Sequence, residues 1–201
     1  MTDPPAAPPR LLLVTPAGWW RIPLQDPHAR TRSIRALARR QFRSVDNQPA
    51  LRSQTERQLV EAAEAAAERA GVEMYIATET VAGVPVSASL VISLLPALPA
   101  GTDGARGRGR LAAELRTDGA EVTLVDLPAG PAVRRRWTKR TSEATRLGAT
   151  DDSVLVDFYL TVPGGSALVL LSFATPLLPI AEAMAEFFEA VASTARWDGC
   201  T

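Results

Sequence analysis

Few of the 201 residues belong to types that carry out chemistry. The chain has one histidine, His28, and one cysteine, Cys200, at opposite ends of the sequence. Zinc and related metals need three or four Cys, His or carboxylate ligands at set spacings, and this chain offers no such set. A Ser-His-Asp or Cys-His nucleophile system would have to use His28, which has no serine or cysteine motif around it, and there is no G-x-S-x-G. A phosphate-binding Walker loop is also missing. Asp151 and Asp152 are adjacent carboxylates in a stretch that reads as loop. Asp157, Tyr159 and Ser172 converge on one sheet face by alternation, and an internal hydrogen bond accounts for them as well as catalysis would. The expectation is a chain without enzymatic activity, cofactor or metal.

Positive charge is the more informative chemistry. Residues 1–52 hold nine arginines against three acids, and residues 105–146 hold ten basic groups against five acids. The blocks that follow each are acidic by five and six charges, so the chain is neutral overall. Opposite blocks lying side by side in one fold would cancel; a basic surface for an acidic partner is the sharper reading. Two places concentrate the arginines. Arg134, Arg135, Arg136, Lys139 and Arg140 surround Val133 and Trp137 in a strand-like run. Charge of one sign along a strand suits a protected sheet edge; the same pattern makes a binding ribbon with Trp137 as its anchor. Arg32, Arg35, Arg39 and Arg43 line one side of a helical pattern, either as a solvated face or as a partner-binding ridge.

These side chains must be positioned by elements the pattern makes visible. The last third of the chain is the strongest. Val154–Val162 and Ser166–Ala174 flank Pro163-Gly164-Gly165, and two glycines accept the positive φ angles of a two-residue hairpin loop. Counting from that loop sets Val162 against Ala167, Leu160 against Val169, Phe158 against Leu171 and Val156 against Phe173, all on one apolar face. Asp157 with Ser172, Tyr159 with Leu170 and Thr161 with Leu168 occupy the reverse. A helix follows, with Pro179 in its first turn. Ile180, Met184, Phe187, Phe188, Val191 and Ala195 fall on one side, and Glu182, Glu186, Glu189, Ser193 and Arg196 form a thin solvated stripe opposite. Its expected place is on the apolar hairpin face, with Trp197 closing its end.

Earlier elements follow by the same rules. Leu11–Val14 and the segment from Trp19 to Leu24 read as strands, with both tryptophans in the core. Asp26-Pro27 is an N-cap and first-turn proline for a helix to about Ser44, with Ile34, Leu37, Ala38, Gln41 and Val45 sharing one face. Ser53-Gln-Thr-Glu56 reads as a capping box for a helix from Gln54 to Ala70, with Gly71 as its left-handed stop. Val72–Thr80 and Val84–Leu95 form a hairpin, for which a three-residue loop setting Ile76 against Ala88 is expected. Residues 96–110, centred on Gly104-Ala-Arg-Gly-Arg-Gly-Arg110, read as a flexible surface loop; neither a dinucleotide loop nor an Arg/Gly nucleic-acid segment fits as well. Glu121–Leu127 and Ala132–Arg140 form a third hairpin.

The run Val156-Asp-Phe-Tyr-Leu-Thr-Val-Pro-Gly164, then Leu170-Leu-Ser-Phe-Ala-Thr-Pro176, then a helix ending in Arg196-Trp197, resembles actinobacterial proteins of unknown function with the PsbP/LpqN-like α/β fold. The resemblance covers residues 150–197. It implies an antiparallel sheet with helices on its faces, and non-catalytic binding or assembly roles.

The sequence therefore predicts a disordered Pro/Ala tail over residues 1–9 and a single α+β domain over 10–201. Its core would be a curved antiparallel sheet of six or seven strands with helices on its faces and a long C-terminal helix on the sheet. The start of the chain has no signal-type pattern and no apolar run approaches the ~20 residues that span a bilayer, so a cytoplasmic location is expected. The leading expectation is a protein-binding adaptor, chaperone or assembly factor. It would act through Arg134, Arg136, Trp137 and Arg140, or through Arg32, Arg35, Arg39 and Arg43. The alternative is a nucleic-acid or other polyanion binder using the same arginines. A small-ligand pocket between helix and sheet is a third option.

Overall fold

A computed structural model describes residues 9–42, 49–81, 84–96, 104–117, 119–139 and 152–198. The fold is α+β, built on a seven-stranded sheet in which every neighbouring pair is antiparallel. Its strands are β2 (Trp19–Pro23), β3 (Gly71–Ala77), β6 (Ser89–Leu95), β7 (Glu121–Leu127), β8 (Gly130–Lys139), β9 (Ser153–Thr161) and β10 (Leu168–Thr175), in the order β2-β3-β6-β10-β9-β8-β7. Two small ribbons accompany it. Strands β4 (Thr80–Val81) and β5 (Val84–Pro85) pair with each other, and β1 (Arg10–Leu12) pairs with β11 (Arg196–Asp198).

The C-terminal hairpin has the register counted from its glycines. Leu160 faces Val169, Phe158 faces Leu171, and Asp157 faces Ser172, with Gly164 at φ +71°. Strand alternation then gives the sheet two faces. The front carries Val156, Phe158, Leu160, Val169, Leu171 and Phe173, and helix α4 (Ala181–Ala192) lies on it through Met184, Phe188 and Val191. Phe188 stacks on Phe173 with centroids 5.0 Å apart, and Phe158 meets Phe173 edge-on. Each of these three buried rings contributes roughly 1.5–3 kcal/mol. The helix is shorter than its apolar stripe suggests: a 3₁₀ turn, Leu178–Ile180, precedes it, and the chain becomes strand again at Arg196. Trp197 therefore belongs to β11 rather than to the helix end.

The back face is covered by three helices. Helix α1 (Pro27–Gln41) is capped by Asp26, whose carboxylate accepts from the backbone N–H groups of His28 and Ala29. It packs Ile34 and Leu37 with Ala63 of α2 (Pro49–Glu68) against Ile22 and Met74. Helix α3 (Gly104–Leu115) packs Leu111 and Ala112 against Val122, Val133 and Leu168. Trp19 joins the front core and Trp20 the back core.

Several expectations are corrected. Helix α2 begins at Pro49, so Ser53 lies inside it and caps nothing. Ala70, at φ +62°, takes the left-handed position, and Gly71 opens β3 instead. A Cβ on Gly71 would sit 2.5 Å from the Ala66 carbonyl oxygen, so the chain's turn off the helix requires glycine there. The β3–β6 register sets Ile76 against Ser89 and Tyr75 against Leu90, one step from the expected pairing, and Val81 pairs directly with Val84. Residues 104–110, expected as loop, are helix. Strand β8 lies between β7 and β9 and is not an edge.

Candidate functional site

Strand alternation divides the arginines of β8 between the two faces. Arg134 and Arg136 share the front face with Phe158 and Val156, so they point at α4. Arg134 is buried and pairs with Glu189 at 2.7 Å and with Glu121 at 3.4 Å. Arg136 makes two parallel bonds to Glu182, at 2.8 and 2.6 Å, and this pairing holds the Glu182 carboxyl below its usual range. The glutamates read as a solvated stripe thus clamp the helix to β8. Trp137 points to the back face, where its Nε1–H donates to Asp157 at 2.8 Å and the Arg135 guanidinium covers its ring at 4.5 Å. The β8 set is therefore split between two faces and held by internal partners. Arg140 and Arg43 lie outside the described residues.

On α1, Arg32, Arg35 and Arg39 are exposed and point outward. Arg35 pairs with Glu56 of α2 at 3.2 Å. Arg32 and Arg39 form no ion pair among the described residues. His28 is exposed in the first turn of α1.

Asp157 is buried at 4% exposure and accepts from Ser172 Oγ at 2.6 Å as well as from Trp137. Burial pushes its carboxyl up, against the pull of those two hydrogen bonds and of Arg135. Burial, with Asp157 as neighbour, also pushes Tyr159 to about 12. Both acceptor oxygens are used within the protein, so this centre fastens β8, β9 and β10 together.

A cleft of about 660 Å³ opens on the front face at the end away from α4, beneath the β1–β11 ribbon. Leu11, Leu13 and Trp197 pack from the ribbon toward the core. Trp197 is fixed by its Nε1–H donating to the Ala129 carbonyl at 2.8 Å, and Val14 N–H donates to Thr194 Oγ1. The opposite wall is sheet: Tyr75, Ile92, Leu94, Val169 and, beside the hairpin turn, Val162 and Ala167. Arg10, Arg21 and Glu73 give the cleft one polar corner. Arg21 lies directly across from Tyr75 in the β2–β3 pair, and its guanidinium binds the Glu73 carboxylate. Tyr75 O–H donates to the other Glu73 oxygen at 2.7 Å. Burial pushes Glu73 up, but hydrogen bonds from Arg21 and Tyr75 outweigh it and leave the carboxyl below its usual range. Tyr75 is pushed to about 12 by burial and by Glu73, so it stays a hydrogen-bond donor.

A mostly apolar cleft with a few fixed polar groups is the form taken by sites for small apolar ligands. Sequence reasoning named none of Arg21, Glu73 and Tyr75. Their signal was one charge of each sign inside two otherwise apolar strand patterns; the pairing that joins them spans some fifty residues. No helix among the described residues is long and apolar enough to cross a membrane, and no group of three metal-ligating side chains occurs among them. The sequence matches no known family model and no curated protein.

Proposed function

We propose that this is a binding protein rather than a catalyst, and that it receives an apolar ligand in the cleft beneath the β1–β11 ribbon. The observation that carries this reading is the cleft itself. Its walls are Ile92, Leu94, Val162, Val169, Leu11 and Trp197, and the charged residues among its described lining are Arg10, Arg21 and Glu73. Cavities of 300–1,000 Å³ with such walls accommodate small ligands. The test uses the neutral apolar dye Nile red. Saturable fluorescence enhancement is expected with the native chain, and Ala167→Phe, which fills the cleft beside the hairpin turn, should abolish it with melting unchanged. Enhancement that persists in A167F, or is never saturable, refutes the reading.

A second reading is an acidic protein partner on the outward face of α1, carried by exposed Arg32 and Arg39 and their lack of ion pairs among the described residues. Reversing both to glutamate should remove a partner captured from native extract. Binding lost steeply between 50 and 200 mM salt, with nucleic acid in the captured fraction, would favour polyanion binding on the same face.

A further inference from the structure

We infer that Arg21 and Glu73 together set the charge specificity of the cleft: it admits uncharged amphiphiles, such as long-chain alcohols, and disfavours carboxylate and ammonium head groups alike. This inference rests on the cleft being the binding site. Arg21 lies directly across from Tyr75 in the β2–β3 pair, and Tyr75 packs with Ile92 and Val169 on the front of the sheet. Glu73 is two residues from Tyr75 on the same strand, so alternation sets all three side chains on one face. There they close on themselves. Arg21 binds one Glu73 oxygen, Tyr75 donates to the other, and the charges of Arg21 and Glu73 cancel. The third charged lining residue, Arg10, faces Asp198 across the β1–β11 ribbon, on the outer side opposite to Leu11 and Trp197. The cleft therefore presents no net charge to its occupant. A charged head entering beside Ile92 and Val169 gives up water without gaining a counter-charge, a cost that a hydroxyl largely escapes. Removing either member of the pair exposes the charge of the other, so each variant should select the opposite ion.

Calorimetric titration of the full chain at pH 7 with decanol, decanoate and decyltrimethylammonium, each below its solubility and micelle limits, tests this. The native chain should bind decanol roughly tenfold more tightly than either ion. Glu73→Gln keeps the side-chain shape and leaves Arg21 unopposed, so decanoate should rise past decanol while the ammonium stays weak. Arg21→Gln leaves Glu73 unopposed and should raise the ammonium instead. Decanol binding should be little changed in both variants, with melting as the check that β2 and β3 still pair. Either ion binding the native chain as tightly as decanol overturns the neutral specificity while leaving an apolar cleft, and that ranking needs no variant to fold. A ranking that neither substitution alters overturns the assignment to Arg21 and Glu73. Failure of all three to bind, with Nile red also unbound, overturns the cleft as a site.

Discussion

Asp157 on the back of the sheet and Glu73 on the front are both carboxylates set among apolar strands, and each accepts two side-chain hydrogen bonds. Their titration moves in opposite directions. Asp157 is held by a serine hydroxyl and an indole N–H, neutral donors that do not offset its burial, and its carboxyl is pushed up. Glu73 is held by a guanidinium, which does offset burial, and its carboxyl is pulled down. The difference shows what each centre is for. A carboxylate sealed between neutral donors ties three strands together, whereas one neutralised by a cation can form the wall of an open cleft.

The largest expected separation of the two comes from truncation. Asp157→Ala leaves the Trp137 N–H and the Ser172 hydroxyl without their acceptor, and should cost about 3 kcal/mol in urea unfolding. Glu73→Ala leaves Arg21 and Tyr75 near solvent and should cost about 1 kcal/mol. Equal losses would erase the distinction.

Acid sharpens it. Folded Asp157 binds its proton more tightly than the unfolded chain, whose value is the ordinary 3.8. Its contribution to stability is therefore present at low pH and is lost as pH rises through the raised folded value. Glu73 contributes above its ordinary 4.5, and that contribution is lost as pH falls through the lowered folded value. Melting temperatures from pH 7 to 4 should show the native chain gaining on Asp157→Asn as pH falls. Against Glu73→Gln, the native chain should lose ground below about pH 4.5.

The two tyrosines give a finer contrast, since the chain has only Tyr75 and Tyr159. Absorbance titration should show neither ionising before about 12. Glu73→Gln should bring Tyr75 down and leave Tyr159 where it is. The smallest effect is expected at a third site. Arg134→Met exchanges a buried ion pair for apolar contact beneath α4 and should alter stability by roughly 1 kcal/mol or less.

What the sequence made legible was local. The Pro163-Gly164-Gly165 loop and the alternation beside it determine the β9–β10 register and the Asp157–Ser172 pair. Asp26 and Pro27 determine the start of α1. Where both faces of a strand are apolar, alternation loses its power to choose a register. Tyr75 and Leu90 are packed on the front, Met74 and Val91 on the back, so β3 and β6 could not be aligned by hydrophobicity alone. The arginines of β8 read as an edge because the glutamates that neutralise two of them come from α4, some fifty residues later. The glycines of α3 hid a helix whose Leu111 and Ala112 are held by tertiary packing. The cleft had no local signature, since its roof joins residues 10–12 to residues 196–198.

That pairing has a consequence for the order of assembly. Arg10 opposite Asp198 closes a loop of nearly the whole polypeptide, and contacts of such separation form only after nearer ones have reduced the entropy of bringing them together. On the ribosome the sheet's earlier hairpins can zip up while β11 has yet to be synthesised. The cleft under β1 is thus expected to be completed as the final event of folding, and a nascent chain stalled before Arg196 would display Ile92 and Val169 to water without a roof.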